Sequence, residues 1–289
     1  MADNHHVLLT VHAHPDDESS KGAASVARYH AEGIETVLVC CTGGEEGDIL
    51  NPAMDNDDVR ANLPAVRRTE LERARLIIGY DHVELLGYRD SGMAGSAAND
   101  HPDAFARVEL ADAVGKLVAI LRRYRPDVVV TYADEQEFYP HPDHLRVHDV
   151  TVDAYAACGD PAAFPEAGPP WTPKKLYYSM LAFARLQKLA AAFESEGLEF
   201  PFGESWKELP NNDHRITTRL DVAPWATVRG EALRAHATQI DPSSPFWFGL
   251  SDATDFEINS EEDFVLAESL VTGTVPETDL FAGLRETAS

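Results

Sequence analysis

VHAHPDDESSK, residues 11–21, places two histidines, two consecutive aspartates and a glutamate within seven residues. The cluster directly follows the apolar run Val7, Leu8, Leu9, Thr10, Val11 and directly precedes a helix-forming segment, so a buried strand ends where metal-type ligands begin. Neutral imidazole together with carboxylate suits a borderline divalent metal such as zinc, and a catalytic zinc keeps about three protein ligands and one water. His14 and Asp17 supply two. The third has to come from elsewhere. The other dense cluster of the same chemistry is YPHPDH at 139–144, which also follows an apolar run, at 128–132.

Outward from 11–21 the chain alternates. Residues 7–11 read as a buried strand, about 19–32 as a helix stopping at Gly33, and 36–41 (TVLVCC) as a second buried strand. A glycine loop at 42–47 forms a tight wall rather than a phosphate loop, since it has neither G-x-G-x-x-G nor a P-loop lysine. A helix over 64–78, a short strand at 83–86 ending in YRDSG, a helix marked by Leu110, Val114, Leu117, Val118 and Leu121, a strand at 127–132 and a helix over 144–157 follow. Strands alternating with helices predict an α/β fold, a mostly parallel sheet flanked by helices, with ligands beyond the carboxyl ends of the strands. After a Pro/Gly-rich stretch at 159–173 come a strand at 176–178, a helix over 183–196, a strand at 217–222, a helix over 224–238 and a tail docked through Leu280 and Phe281. The expected organisation is a core at 1–180 with a C-terminal α+β extension at 181–289.

Composition works by exclusion. With 24 Lys and Arg against 49 Asp and Glu, the 289-residue chain carries a formal charge of −25, which repels phosphate backbones and anionic membranes. Nucleic acid and membrane are therefore not expected partners, and no apolar run approaches the ~20 residues of a span. Cys40 and Cys41 lie adjacent in an apolar run and Cys158 stands alone, the usage of a reducing compartment; with no basic leader at 1–6, a cytoplasmic protein is expected.

Other constellations compete with the first. His144 and His148 share the i, i+4 spacing of a zincin helix, but Leu145 stands where that motif needs its glutamate, which leaves His148 a structural role. His14 and Asp16 with a distant histidine have the composition of a non-haem iron triad, a site usually built on β-barrels rather than on alternating β and α. His12 shares a strand face with His14 and packs behind it or ligates. Arg67 reads either as a helix-surface partner of Glu70 or Glu72 or as a donor to a polyhydroxyl substrate.

AHPDDE at 13–18 and HPDH at 141–144 resemble the LmbE/PIG-L family of metal-dependent N-deacetylases and amidases, and the resemblance runs through most of the chain. Longer stretches (VHAHPDDESSKGAA, ILNPAMD, KLYY, ALRAHATQIDP, LFAG) are similar to its amidase branch, which acts on mycothiol S-conjugates. The resemblance implies a Rossmann-like, LmbE-like core and zinc held by His14, Asp17 and His144, with Asp16 as general base. It further implies that a cationic His141 stabilises the oxyanion or protonates the leaving amine, that Asp143 orients His141, and that Tyr139 sits over the substrate carbonyl. Arg67 and Asp90 would hold sugar or inositol hydroxyls. Lys21, beginning the first helix near the pocket mouth, would reach a carbonyl of the N-acetylcysteinyl arm, and the extension would complete the pocket. The loop 133–138 (ADEQEF) departs from the family by lacking glycines before the Tyr-x-His step.

The expected function is zinc-dependent hydrolysis of the amide in a small thiol–sugar conjugate. The alternatives are deacetylation of N-acetylglucosaminyl-inositol, tailoring of a natural-product thiol conjugate, and, outside enzymes, a metal-containing sugar- or thiol-binding module.

Overall fold

The computed structural model describes residues 5–134, 136 and 139–285. Seven strands, β1 (Val7–His12), β2 (Glu35–Thr42), β3 (His82–Tyr88), β4 (Val128–Tyr132), β5 (Lys175–Met180), β6 (Thr218–Asp221) and β7 (Glu261–Ser269), form one sheet in the order β3-β2-β1-β4-β5-β7-β6. The first five are parallel, and β7 runs antiparallel to both β5 and β6. The helices are α1 (Asp17–Ser20), α2 (Ala23–Ala31), α3 (Asp57–Ala61), α4 (Leu63–Ile78), α5 (Leu110–Tyr124), α6 (Pro142–Ala157), α7 (Phe183–Ser195), α8 (Ala226–Ala235), α9 (Pro245–Phe248) and α10 (Asp252–Ile258).

Side-chain alternation along the strands builds two cores. Val7, Leu9 and Val11 of β1 pack with Val37 and Val39 of β2 against Val114, Leu117, Val147 and Val150 of α5 and α6. Leu8, Leu38, Val128 and Val130 point the other way, onto Val26 and Tyr29 of α2, Leu71 and Ile78 of α4 and Leu233-adjacent Ala232 of α8. A sheet buried on both faces explains why these strands read as continuous apolar runs.

The chain proceeds from β1 outward through β2 to β3, then crosses back to place β4 on the other side of β1. Ligands of open α/β sheets bind at such a reversal, beyond the carboxyl ends of the strands. The loops after β1 and β4, which carry residues 13–18 and 139–144, leave the sheet side by side at this point.

The helix expected over 19–32 is interrupted. Lys21 is extended and Gly22 takes φ 87°, a left-handed setting that glycine adopts at little cost, so α1 ends and α2 starts afresh at Ala23. Gly33 at φ 83° and Gly79 at φ 95° end α2 and α4. Strand β7 has no counterpart in the sequence reading. Glu261, Glu262, Asp263 and Glu268 obscure its alternation, yet Glu262 and Asp263 are buried, Glu262 accepting Ser25 N–H at 3.0 Å and Asp263 pairing with Arg219 at 2.7 Å. Beyond Met180, β6 and β7 thus extend the same sheet. The tail docks as expected: Leu280 and Phe281 are fully buried beside Tyr29.

A buried network fastens that tail. Lys175 Nζ donates to Glu277 Oε1 at 2.8 Å and to Tyr177 Oη at 3.0 Å, and Tyr177 Oη–H donates to Glu277 Oε2 at 2.5 Å. Removing one partner of a buried pair leaves an uncompensated charge, at a cost of about 3–5 kcal/mol. Lys175→Met should therefore lower the unfolding free energy by an amount in that range, read as a fall in the urea midpoint, and the double variant Lys175→Met/Glu277→Leu should regain much of it; an unchanged midpoint in the single variant would show that the pair contributes nothing.

Candidate active site

The end of β1 turns sharply at Pro15 and Asp16. Asp16 has φ 110° and ψ −25°, and a non-glycine residue held in so sparsely populated a region stores of order 1–3 kcal/mol. The turn sends consecutive carboxylates in different directions. Asp17 opens α1 and folds back, its Oδ2 accepting His14 N–H at 2.9 Å. Asp16 Oδ2 instead meets Arg67 Nη2 at 3.0 Å.

Around Asp17 three donor groups converge. Its Oδ2 lies 3.3 Å from His14 Nδ1 and 3.3 Å from His144 Nε2, and the three ligand atoms lie within 4.8 Å of one another. Donors about 2.0–2.2 Å from a common centre at tetrahedral angles stand about 3.3–3.6 Å apart, so the spacing fits a tetrahedral zinc-type site. His144 Nε2 is buried and has no hydrogen-bond partner, an orphaned lone pair at the point a cation would occupy. Burial, with Asp17 opposing, pushes His144 down to about 4, which keeps the imidazole neutral and ligating. Burial would raise the Asp17 carboxyl, but the charge of Lys21 and the hydrogen bond of His14 hold it well below the usual range.

His14 works from both ring nitrogens. Opposite Asp17, its Nε2–H donates to Asp143 Oδ2 at 3.2 Å, with Asp90 Oδ1 at 3.4 Å. Despite burial, these carboxylates and Asp17 raise its pKa well above the ordinary value. A second buried group that could hold a cation, His14, Asp90, His141 and Asp143, shares this ring. Its oxygens are already engaged: Asp143 accepts Ser91 N–H at 2.9 Å and the Ser91 hydroxyl, and Asp90 accepts Gly92 N–H at 2.8 Å and Glu46 N–H at 3.2 Å. It is the carboxylate backing of His14, an arrangement that fixes the tautomer and orientation of a ligating imidazole.

The remaining expected residues fall as follows. His141 caps α6, its Nδ1 accepting Asp143 N–H at 3.1 Å, which leaves the ring proton on Nε2. The orienting contact thus comes from the Asp143 backbone, while the Asp143 carboxylate serves His14. Burial, then the charge of His14, push His141 below its ordinary pKa. Tyr139, 48% exposed, stacks 6.0 Å from the His141 ring, with Oη–H directed to Met93 Sδ at 3.2 Å. Of the loop 133–138, Glu135, Glu137 and Phe138 lie outside the described residues. Arg67 is buried behind Asp16 rather than on the helix surface. It donates to Gly44 O and Pro15 O, each at 2.5 Å, besides Asp16. Asp90 is buried against His14. Lys21 donates to Asp17 Oδ1 at 2.7 Å, so its ammonium is paired with the triad, while a third of the side chain stays exposed. His148 Nδ1 bonds Tyr132 O at 3.0 Å, the structural role expected of it. His12 is buried edge-on to Tyr132, its ring nitrogens unpartnered, and burial lowers it to about 4.

Sequence reasoning missed several contributors. Tyr132 stacks on His144 at 4.5 Å and accepts Ala13 N–H at 2.9 Å; as the last residue of an apolar strand it read as core. Ser91 had a signal, the polar DSG after β3, but no partner could be assigned to it. Glu18 was counted in the 11–21 cluster without a role, and His236, paired with it at 2.7 Å, lies in a stretch quoted only for the resemblance.

Known proteins resemble this chain along most of its length. Residues 9–155 match the model of the PIG-L family, described as GlcNAc-PI de-N-acetylase. Mycothiol S-conjugate amidase of Streptomyces coelicolor is 41% identical over 97% of this chain and 98% of its own length. 1D-myo-inositol 2-acetamido-2-deoxy-alpha-D-glucopyranoside deacetylase of Streptomyces avermitilis is 40% identical over 96% of this chain and 97% of its own. In fold, N,N'-diacetylchitobiose deacetylase from Pyrococcus horikoshii superposes with a TM-score of 0.61 at 17% identity, covering 90% of this chain and 83% of that one. The chain belongs to the PIG-L family. It is a hydrolase of carbon–nitrogen amide bonds, as its amidase and deacetylase relatives are. Among the described residues no helix is long and apolar enough to cross a membrane.

If the triad holds a metal, His144→Ala and Asp17→Ala should lose it on dialysis, while His148→Ala keeps it. Asp143→Ala, which removes an outer partner of His14, should weaken metal affinity about 10- to 100-fold. Elemental analysis decides both, and full occupancy in His144→Ala would rule the triad out.

Proposed function

We propose that the protein is a zinc-dependent amidase that cleaves the amide between an N-acetylcysteinyl S-conjugate and the glucosamine of glucosaminyl-inositol, releasing a mercapturic acid and the amino sugar. The observation that carries the chemistry is a carboxylate, Asp16, standing free of the donor triad of His14, Asp17 and His144 yet joined to it through the next peptide. Identity with the Streptomyces amidase supports the substrate. Comparable identity with the deacetylase keeps removal of acetate from N-acetylglucosaminyl-inositol as the second reading.

His14, Asp17 and His144 would hold the zinc, which supplies Lewis acidity that activates water near neutral pH and polarises a carbonyl. Asp16 takes the proton of the attacking water. Burial, against the pull of Arg67, raises the Asp16 pKa, so that carboxyl holds a proton more readily than an exposed one and is suited to pass it to the leaving nitrogen. The water oxygen bonds to the carbonyl carbon, the C–N bond breaks, and the nitrogen departs with that proton. His141, its Nδ1 occupied by Asp143 N–H, presents Nε2–H to the developing oxyanion. Tyr139 flanks the same carbonyl. A pure binding module has no need of a base beside its metal ligands, and Asp16 argues for turnover.

Incubating the zinc-loaded protein with a mycothiol S-conjugate and, separately, with the acetylated sugar, read by mass spectrometry, tests the substrate; faster turnover of the sugar would replace the amidase reading with the deacetylase one. Asp16→Ala should keep its zinc and lose about 10²–10⁴-fold in kcat, whereas wild-type kcat in the loaded variant would assign the base elsewhere. Because Lys21 pairs with Asp17, Lys21→Ser should weaken zinc retention and depress both activities in parallel. A loss confined to the S-conjugate would return Lys21 to the N-acetylcysteinyl arm.

A further inference from the structure

A buried pair behind the triad is not used by the chemistry above. Glu18 Oε1 and His236 Nε2 meet at 2.7 Å, both side chains fully excluded from solvent, and His236 Nε2–H donates. The other oxygen, Glu18 Oε2, accepts Asp16 N–H at 2.9 Å, and Ser19 Oγ–H donates to Oε1 at 2.6 Å.

The Asp16 peptide, at φ 110°, is held by two clamps. Arg67 takes the Asp16 carboxylate and the Pro15 carbonyl from one side. Glu18 takes the Asp16 amide from the other. Arg67 is anchored on α4, but Glu18 is a carboxylate withdrawn from water, and such a group keeps a fixed, charged acceptor only where a partner compensates it. His236 is that partner, and its own position is fixed by the segment that follows α8. Thr238 N–H and Oγ1–H donate to Glu70 at 2.8 and 2.7 Å, Asn51 Nδ2–H donates to Ala237 O at 2.9 Å, and Gln239 Nε2–H donates to Asp48 O at 3.1 Å. The segment 236–239 therefore ties the turn after β1 to α4 and to the loop after β2.

We propose that His236 is a positioning residue for amide hydrolysis: through Glu18 it holds the Asp16 amide, and so the Asp16 carboxylate, in the backbone setting that keeps the base beside the metal ligands and off the metal. The proposal rests on the assignment of Asp16 as base. It differs from a merely structural role in what it predicts. Loss of the Glu18 partner should lower kcat, leave KM and zinc content unchanged, and be rescued by a neutral residue that still donates.

Zinc-loaded His236→Gln and His236→Leu would be compared with wild type on the two substrates above. Gln keeps an N–H donor at about the reach of Nε2, and Leu keeps bulk without one. His236→Leu should lower kcat about 10- to 100-fold at unchanged KM and zinc content, while His236→Gln stays within about threefold of wild type, as misplacement of a reacting group predicts. In ¹⁵N-labelled protein the Asp16 amide proton should move upfield in His236→Leu and not in His236→Gln. Wild-type kcat in folded, loaded His236→Leu, equal losses in the two variants, or loss of zinc along with activity would each overturn the proposal. Should His236→Leu not fold, Glu18→Gln, a weaker acceptor, carries the test: the Asp16 amide should move upfield with a matched fall in kcat, and an unmoved resonance overturns the proposal. A wild-type protein inactive on both amides would defeat the functional reading instead, and the Asp16 resonance would still report on the positioning.

Discussion

Asp17 Oδ2 stands 3.3 Å from an imidazole nitrogen on each side, one delivered by the end of β1 and the other by the loop after β4. That convergence depends on β1 and β4 being hydrogen-bonded neighbours, Leu8 opposite Val128 and Thr10 opposite Val130. Residues far apart in sequence meet because the sheet reverses direction at this pair of strands. Everything else near the site either sets the angle of these three side chains or compensates the charge that they bury: Tyr132 beneath His144, Asp143 and Asp90 behind His14, Lys21 on the far oxygen of Asp17.

The electrostatics of the pocket and of the whole chain have different purposes. A formal charge of −25 sets the field at long range, and that field is screened within about 8–10 Å at moderate salt. Inside the site the carboxylates are individually partnered: Asp17 by Lys21, Asp16 by Arg67, Glu18 by His236, Asp143 by Ser91 and His14. The Glu18–His236 and Asp143–Ser91 pairs are fully buried, where an unpaired charge costs most, while Asp16 and Lys21 stay partly exposed. The acidic composition repels polyanions from the outside. The internal pairing is what allows so many acids to crowd around one imidazole.

Legibility in the sequence followed burial. Strands β1, β2 and β4 are apolar on both faces and announce themselves, and the two ligand clusters stand out because each joins histidine and aspartate soon after one of these apolar runs. Strand β7 was hidden because Glu262 and Asp263 are buried as paired acids, which a hydrophobicity pattern reads as solvent-exposed. The break at Gly22 was hidden because one glycine within a helix-forming run shows its left-handed setting only when the neighbouring packing is known. Side-chain direction was harder still. Lys21 turns back onto Asp17 of its own motif, Arg67 reaches Asp16 from α4, and Asp143 presents its amide to His141 and its carboxylate to His14. The Glu18–His236 contact spans 218 residues and has no period, so no local pattern could have revealed it.

The sheet order has a consequence for how this chain is made. Strand β6 bonds within the sheet to β7, which lies between it and β5 and comes later in sequence. On a ribosome, where the N-terminal part of a chain is released first, β1 to β5 can pair as they emerge, but β6 waits without a ladder partner until β7 has cleared the exit tunnel. The three residues that could hold a metal, all within the first 144, thus lie on the part of the sheet that emerges before β6 and β7. During that interval β5 is an open sheet edge, the kind of unpaired ladder that any extended strand nearby can join, until β7 covers it.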